Sequence, residues 1–146
     1  MLMPLEMPNS LLWPSVLHLG LTAFLYLWLT FERGLGVVRG RQRYSDYILA
    51  SGDTGRGARV AANLRNQFEA PPFFHMLILA LVLAGTPLQG HLILAWVFVL
   101  GRGIHTLVQA LFANVVLRGL VFSINFLALC GMWGLFFWQM FGAAQP

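Results

Sequence analysis

Four stretches of this chain, 7–31, 70–101, 103–117 and 119–146, contain no charged side chain. Such runs leave few structural options. In hydrocarbon every backbone amide and carbonyl must be satisfied within the protein, and a helix does this locally. About 20 apolar residues in helical form cross the ~30 Å core of a bilayer. The first and last runs each suffice for one crossing. The second suffices for more than one, and GTPLQG (85–90) places turn chemistry in its middle. The third extends the helix that begins near His91. The expected fold is all-α, an integral membrane four-helix bundle forming a single transmembrane domain over 1–146. Its helices are expected at about 11–36, 57–84, 91–113 and 115–141.

Charge then orients the bundle. All nine basic residues are arginine. Arg33, Arg39, Arg41, Arg43, Arg56, Arg59 and Arg65 lie between the first and second apolar runs, and Arg102 and Arg118 flank the third. The N-terminal segment, the 85–90 turn and the C-terminal segment have none. The positive-inside rule puts both arginine-bearing loops in the cytoplasm and both termini outside, as an even number of crossings requires. A multi-pass protein of a membrane such as the bacterial inner membrane fits this pattern. The basic excess is read as orientation toward lipid headgroups, with no nucleic-acid partner. MLMPLEMPNS lacks a basic n-region, so the first helix is expected to be retained. The single cysteine, Cys130, excludes an intramolecular disulfide framework.

Within the second span, Arg59, Asn63, Asn66 and either Glu69 or Ala70 recur every three or four positions, along one helical face. Pro71 and Pro72 follow at the entry to the apolar run. They remove two amide donors and are expected to kink the helix, freeing carbonyls near the polar stripe. Pro14 fits a first helical turn. His18, in an apolar stretch near the outer surface, reads as a hydrogen-bonded packing residue. Gly131 and Gly134 are expected to let helices approach closely. The dense aromatics of the fourth helix read as packing. Gly55-Arg56-Gly57, in the long loop, lacks phosphate-loop spacing and is a weak motif.

Three polar sets should meet at the cytoplasmic end: Arg65, Asn66 and Glu69; Arg102, His105 and Gln109; and Arg118, with Arg39 or Arg41 approaching from the first helix. Charges at membrane depth are costly unless paired or facing a wet cavity, which makes each a functional candidate. The alternative is a salt-bridge network, for instance Glu69 with Arg102 or Arg118. Against it, one acid at the rim cannot satisfy four or five guanidinium groups, and unpaired arginines suit carboxylates and phosphates. His18, His75, His91 and His105 lack metal-ligand spacing. The absence of a mid-helix acid argues against a proton-coupled exporter.

The chain resembles the MAPEG family, the membrane-associated proteins of eicosanoid and glutathione metabolism. Arg65-Asn66-Gln67-Phe68-Glu69-Ala70-Pro71-Pro72 is similar to that family's Asn-x-x-Glu followed by proline, and Arg102-Gly103-Ile104-His105-Thr106 to its Arg-x-x-His-Thr. Arg118 falls where the family carries the arginine credited with stabilising the glutathione thiolate, and Arg39 and Arg41 resemble its basic Arg-x-Arg. The resemblance implies a homotrimer, with glutathione as co-substrate between subunits and a lipophilic second substrate arriving from the bilayer. It assigns Arg118 to the thiolate, and Arg39, Arg41, Arg65, Asn66, Glu69, Arg102, His105 and Gln109 to glutathione binding. Leu64, Gln109, Gly119 and Phe122 depart from the family's histidine, tyrosine, serine and tyrosine. Missing hydroxyls argue against prostaglandin synthesis. Two readings follow: a glutathione-dependent transferase or peroxidase acting on a lipophilic electrophile, or a non-catalytic protein of the same fold that binds a lipid or partner protein.

Overall fold

The computed structural model describes residues 6–48, 52–112 and 114–142, with side chains from Ser10 onward. Helix α1 is Glu6–Val38, followed by a short 3-10 turn at Tyr44–Tyr47. Helices α2 (Gly55–Asn66) and α3 (Pro71–Ala84) together form the second span. Helix α4 (Gln89–Leu107) continues into a π turn at Val108–Phe112, and α5 (Val115–Phe137) into another at Trp138–Gly142. Four spans, Ser10–Val38, Gly55–Ala84, Gln89–Phe112 and Val115–Gly142, are long and apolar enough to cross a membrane. No strand occurs among the described residues. The chain is an all-helical integral membrane protein. The expected end of the third helix at 113, like 1–5, 49–51 and 143–146, lies outside the described residues.

The second span departs from one kinked helix. Its two halves are separated by a turn over 67–70 because Pro71 and Pro72 cannot donate to the carbonyls one helical turn earlier. The last turn of α2 tightens instead, with Gln67 N–H donating to Leu64 O at 3.0 Å and Phe68 N–H to Arg65 O at 3.0 Å. Pro14 also differs from expectation. Helix α1 already begins at Glu6, so this proline sits inside it, a placement membrane helices tolerate. At the end of α3, Gly85 adopts φ +64°, and the amides of Gly85 and Thr86 cap the carbonyls of Val82 and Leu81.

Two apolar clusters hold the bundle. Leu11, Phe74, Leu77, Leu81, Phe98 and Met132 bring α1, α3, α4 and α5 together, with the Phe74 and Phe98 rings stacked 4.5 Å apart. Leu25, Leu29, Val60, Leu64 and Ala110 join α1, α2 and the first π turn. Many aromatics of α5 and of the π turn after it point outward, among them Phe126, Phe137, Trp138 and Phe141, as suits a surface bathed in lipid. Small residues bring α4 and α5 close: Gly131 lies against Leu94, and Gly101 against Asn125. Gly134 faces no neighbour and lines an outward groove instead.

At the arginine-bearing end, ion pairs fasten the loop and α2 to α1. Arg33 donates to both Asp53 oxygens, Nε to Oδ1 at 2.9 Å and Nη2 to Oδ2 at 2.7 Å. Arg56 Nε donates to Glu32 Oε1 at 2.6 Å, and Trp28 Nε1 donates to the same oxygen at 3.1 Å. Glu69 is therefore not the single acid available to the rim arginines. Sequence spacing alone did not reveal that α1 and the loop bring Glu32 and Asp53 to the same end.

The α4–α5 contact is directly testable. A Cβ on Gly101 would overlap Asn125 Oδ1, so Gly101→Ala must displace the buried Asn125 side chain. It should cost about 1–3 kcal/mol, read as a lower thermal midpoint in detergent. Adding Asn125→Ala should recover most of the loss. An unchanged midpoint in the single variant would contradict this packing.

Candidate functional site

The break after Asn66 exposes backbone to α4, and one side chain uses it. Arg102 is 1% exposed. Its Nη2 donates to Asn66 O at 2.8 Å and to Gln67 Oε1 at 3.1 Å. Gln67 Nε2 in turn donates to Asn63 Oδ1 at 3.0 Å and Asn63 O at 3.2 Å. Asn63 Nδ2 reaches Thr106 O at 3.3 Å, so the polar stripe of α2 is stitched to α4. Arg102 makes no ion pair among the described residues, and neither Glu69–Arg102 nor Glu69–Arg118 is formed. The Glu69 pairs given as instances of the salt-bridge alternative are thereby corrected, and the ion pairs that do tie the helices are Arg33–Asp53 and Arg56–Glu32. Neutral oxygens, not a carboxylate, meet the guanidinium.

The spine continues toward α1. His18 Nε2 lies 3.1 Å from Gln67 Oε1, His18 Nδ1 lies 3.1 Å from His75 Nε2, and Ser15 Oγ lies 2.6 Å from His75 Nδ1. A guanidinium only donates, so the Gln67 oxygen must face Arg102. His18 Nε2 then carries the proton it shares with that oxygen, and His18 Nδ1 accepts from His75 Nε2. His75 Nδ1 accepts from the Ser15 hydroxyl. Every ring nitrogen in this chain of contacts has a partner. His18 is the hydrogen-bonded packing residue expected, tied to the break in the second span.

Beside this spine opens a cleft of about 380 Å³. Asn66 comes from α2, His105 from α4, Gln109 from the π turn, and Arg118, Gly119 and Phe122 from α5. The wider turn of a π segment shifts side chains off the α-helical register, a distortion frequent at functional sites. Here it seats Gln109 so that Asn66 Nδ2 donates to its Oε1 at 3.4 Å. Arg118 is placed by the start of α5, where Asn114 Oδ1 caps the helix by accepting from Leu117 N–H at 3.0 Å. A neighbouring recess of about 240 Å³ shares Ala62, Gln109 and Arg118 and adds Arg59. Arg118 is exposed and unpaired, while the buried His105 keeps Nδ1 without a partner among the described residues.

One chain thus brings together Asn66, His105, Gln109 and Arg118. It does not bring the other sequence candidates to that cleft. Arg102 is buried behind it. Arg65 opens on the α1–α2 side with Tyr26 and Phe68. Glu69 stands at one end of an apolar groove of about 640 Å³ between α3 and α5, beside Phe73, Phe126 and Trp133. Arg39 and Arg41 line a separate cavity at the loop end. There the Tyr47 phenol is pushed above its ordinary pKa, by burial first and by the Asp53 charge next, so it remains a hydrogen-bond donor. Gln67, Thr106, His75 and Ser15 were not recognisable as a connected set. Gln67 and Thr106 lie inside the two quoted motifs, next to residues that were singled out.

A polytopic helical protein with a polar, arginine-bearing cleft between its second, third and fourth spans is the class these features define. The MAPEG family model matches residues 11–138, and the chain belongs to the MAPEG family. Comparison with curated proteins and with solved structures returns no match.

The spine should carry stability. Gln67→Leu leaves Arg102 Nη2 with one acceptor and strands the His18 Nε2 proton. The variant should lose about 3 kcal/mol, seen as a lower thermal midpoint in detergent. A midpoint equal to the parent's would mean that the buried arginine does not depend on Gln67.

Proposed function

We propose that the protein is a glutathione-dependent transferase or peroxidase acting on a lipophilic electrophile drawn from the bilayer. The observation that carries this reading is the convergence of Asn66, His105, Gln109 and Arg118 on one open cleft. These four belong to the segments that resemble the family's glutathione site. Arg118 has no carboxylate partner among the described residues, so its guanidinium is free for an anion.

In this mechanism Arg118 favours the charged form of the glutathione thiol, and the start of α5 adds partial positive charge on the same side. The thiolate then forms a thioether at the electrophilic carbon as the leaving group departs, or attacks a hydroperoxide oxygen, releasing the alcohol and a sulfenic acid that a second glutathione converts to the disulfide and water. Asn66 and Gln109 fix the peptide by hydrogen bonds, with His105 lining the same cleft. Glutathione presents two carboxylates and one ammonium. Arg39 or Arg41, Arg65 and Glu69 complete its binding in the proposal, while Arg102, expected from the sequence to bind glutathione, is buried and committed to Asn66 and Gln67 and holds the cleft's wall instead. Those on other faces of one chain act from neighbouring subunits of a homotrimer, at the cytoplasmic end of the bundle. Gly119 and Phe122 supply no hydroxyl to the sulfur, so turnover is expected to be modest. The apolar groove beside Glu69 favours the second reading, a non-catalytic lipid- or protein-binding role, if thiol activation fails.

Ultraviolet thiolate absorbance of bound glutathione against pH tests the proposal. In the parent the thiol should titrate ~1–3 pH units below its ordinary value near 8.5. In Arg118→Leu it should return toward that value. An ordinary thiol titration in the parent, despite saturable binding, would defeat the enzymatic reading.

A further inference from the structure

Four buried polar atoms behind the cleft have no hydrogen-bond partner among the described residues: both amide atoms of Asn125, Arg102 Nε and His105 Nδ1. Asn125 is 2% exposed, and Arg102 and His105 are each 1% exposed. Turning the Asn125 amide over exchanges its oxygen and nitrogen and leaves both unmet. In a protein interior such atoms are nearly always paired, with protein or with ordered water.

These atoms share one seam between α4 and α5. Arg102 and His105 stand about one helical turn apart on α4. The Asn125 side chain presses on Gly101, the residue before Arg102, where an added Cβ would overlap its Oδ1. Phe122, about one turn earlier on α5, brings its ring to 6.3 Å from that of His105. Asn125 therefore stands at the level of Arg102, and His105 one step nearer the start of α5. His105 and Phe122 also line the cleft of about 380 Å³, so solvent there borders the seam. His105 Nδ1 is itself buried and faces the seam, not the open cleft.

We propose that this seam is a water site, with ordered water bound between Arg102 Nε, Asn125 and His105 Nδ1. The mixture of donors and acceptors selects the ligand. A bound anion could take the Arg102 and Asn125 protons but would leave Asn125 Oδ1 unmet, and the guanidinium repels a cation. A water oxygen that accepts from the Arg102 Nε–H keeps two protons, which suit Asn125 Oδ1 and His105 Nδ1. His105 Nδ1 then accepts, and the ring proton resides on Nε2. Buried waters make about three such bonds and stay where the walls are polar. Asn125 does not line the cleft. It is a positioning residue that acts through this water, fixing the tautomer and rotation of the His105 ring that does line it. The site needs no glutathione, and its failure would leave the thiol titration at Arg118 untouched.

Nuclear magnetic resonance of the full-length protein in detergent, isotope-labelled at asparagine and histidine nitrogens, reads the site. The Asn125 side-chain amide, assigned by its loss on substitution, should show a nuclear Overhauser cross-peak to water of the sign that marks a long-lived contact. His105 Nδ1 should resonate as an unprotonated, hydrogen-bonded nitrogen. In Asn125→Val it should move downfield as its donor is lost. Asn125→Ser, which restores a hydroxyl and leaves room for water, should return it toward the parent position. A dry Asn125 amide in the parent would overturn the proposal, and so would an unchanged His105 nitrogen in folded Asn125→Val. Shifts at Asn125 that follow chloride and not gluconate would put an anion in place of water and equally overturn it. The cross-peak in the parent decides the matter if valine is not tolerated.

Discussion

A guanidinium buried without a carboxylate is the constraint from which the rest of this bundle follows. Removing an ion of that size from water costs several kcal/mol unless its donors are met. Arg102 Nη2 is met by the carbonyl of Asn66 and the amide oxygen of Gln67, while its buried Nε has no partner among the described residues. Within a continuous helix the Asn66 carbonyl would point along the axis to the next turn. It is open to Arg102 here because Pro71 and Pro72 begin a new helix and leave a turn between. The prolines and the arginine are thus parts of one arrangement.

The same break fixes the cleft. Asn63 and Gln67 hold α2 against Thr106 and Arg102, so Asn66, one residue before the turn, faces Gln109 with little freedom. The π turn brings Gln109 to meet it, and the Asn114 cap sets where α5 begins and therefore where Arg118 stands. Behind the cleft, His18, His75 and Ser15 extend the hydrogen-bonded chain to α1 and tie three spans to the break. At the loop end, the bidentate Arg33–Asp53 pair and the Arg56–Glu32 pair fix the start of α2 on α1.

Much of the fold was legible in the sequence because apolar runs and arginine loops are strong constraints in a membrane chain. The four spans, the disturbance at Pro71 and Pro72, and the packing role of His18 followed from local chemistry. The interruption of the second span was not legible as two separate helices, since spacing says that a proline perturbs a helix but not how neighbours accept the freed carbonyls. The polar stripe on α2 was visible through Asn63 and Asn66. Its partner was not, because Gln67 lies off that period and became significant only through contact with Arg102 and His18. Gly131 and Gly134 look alike in sequence, yet one meets Leu94 and the other an open groove. Glu32 and Asp53 are far apart along the chain from the residues they neutralise, so the count of free arginines needed the folded loop.

The central claim is that a break anchored by Arg102 shapes a cleft for a thiol peptide. Calorimetric titration of the detergent-solubilised protein with glutathione tests it most directly. Saturable binding that weakens about tenfold or more in Asn66→Leu, with folding intact, is the predicted result. A folded parent that shows no saturable heat with glutathione would contradict the account.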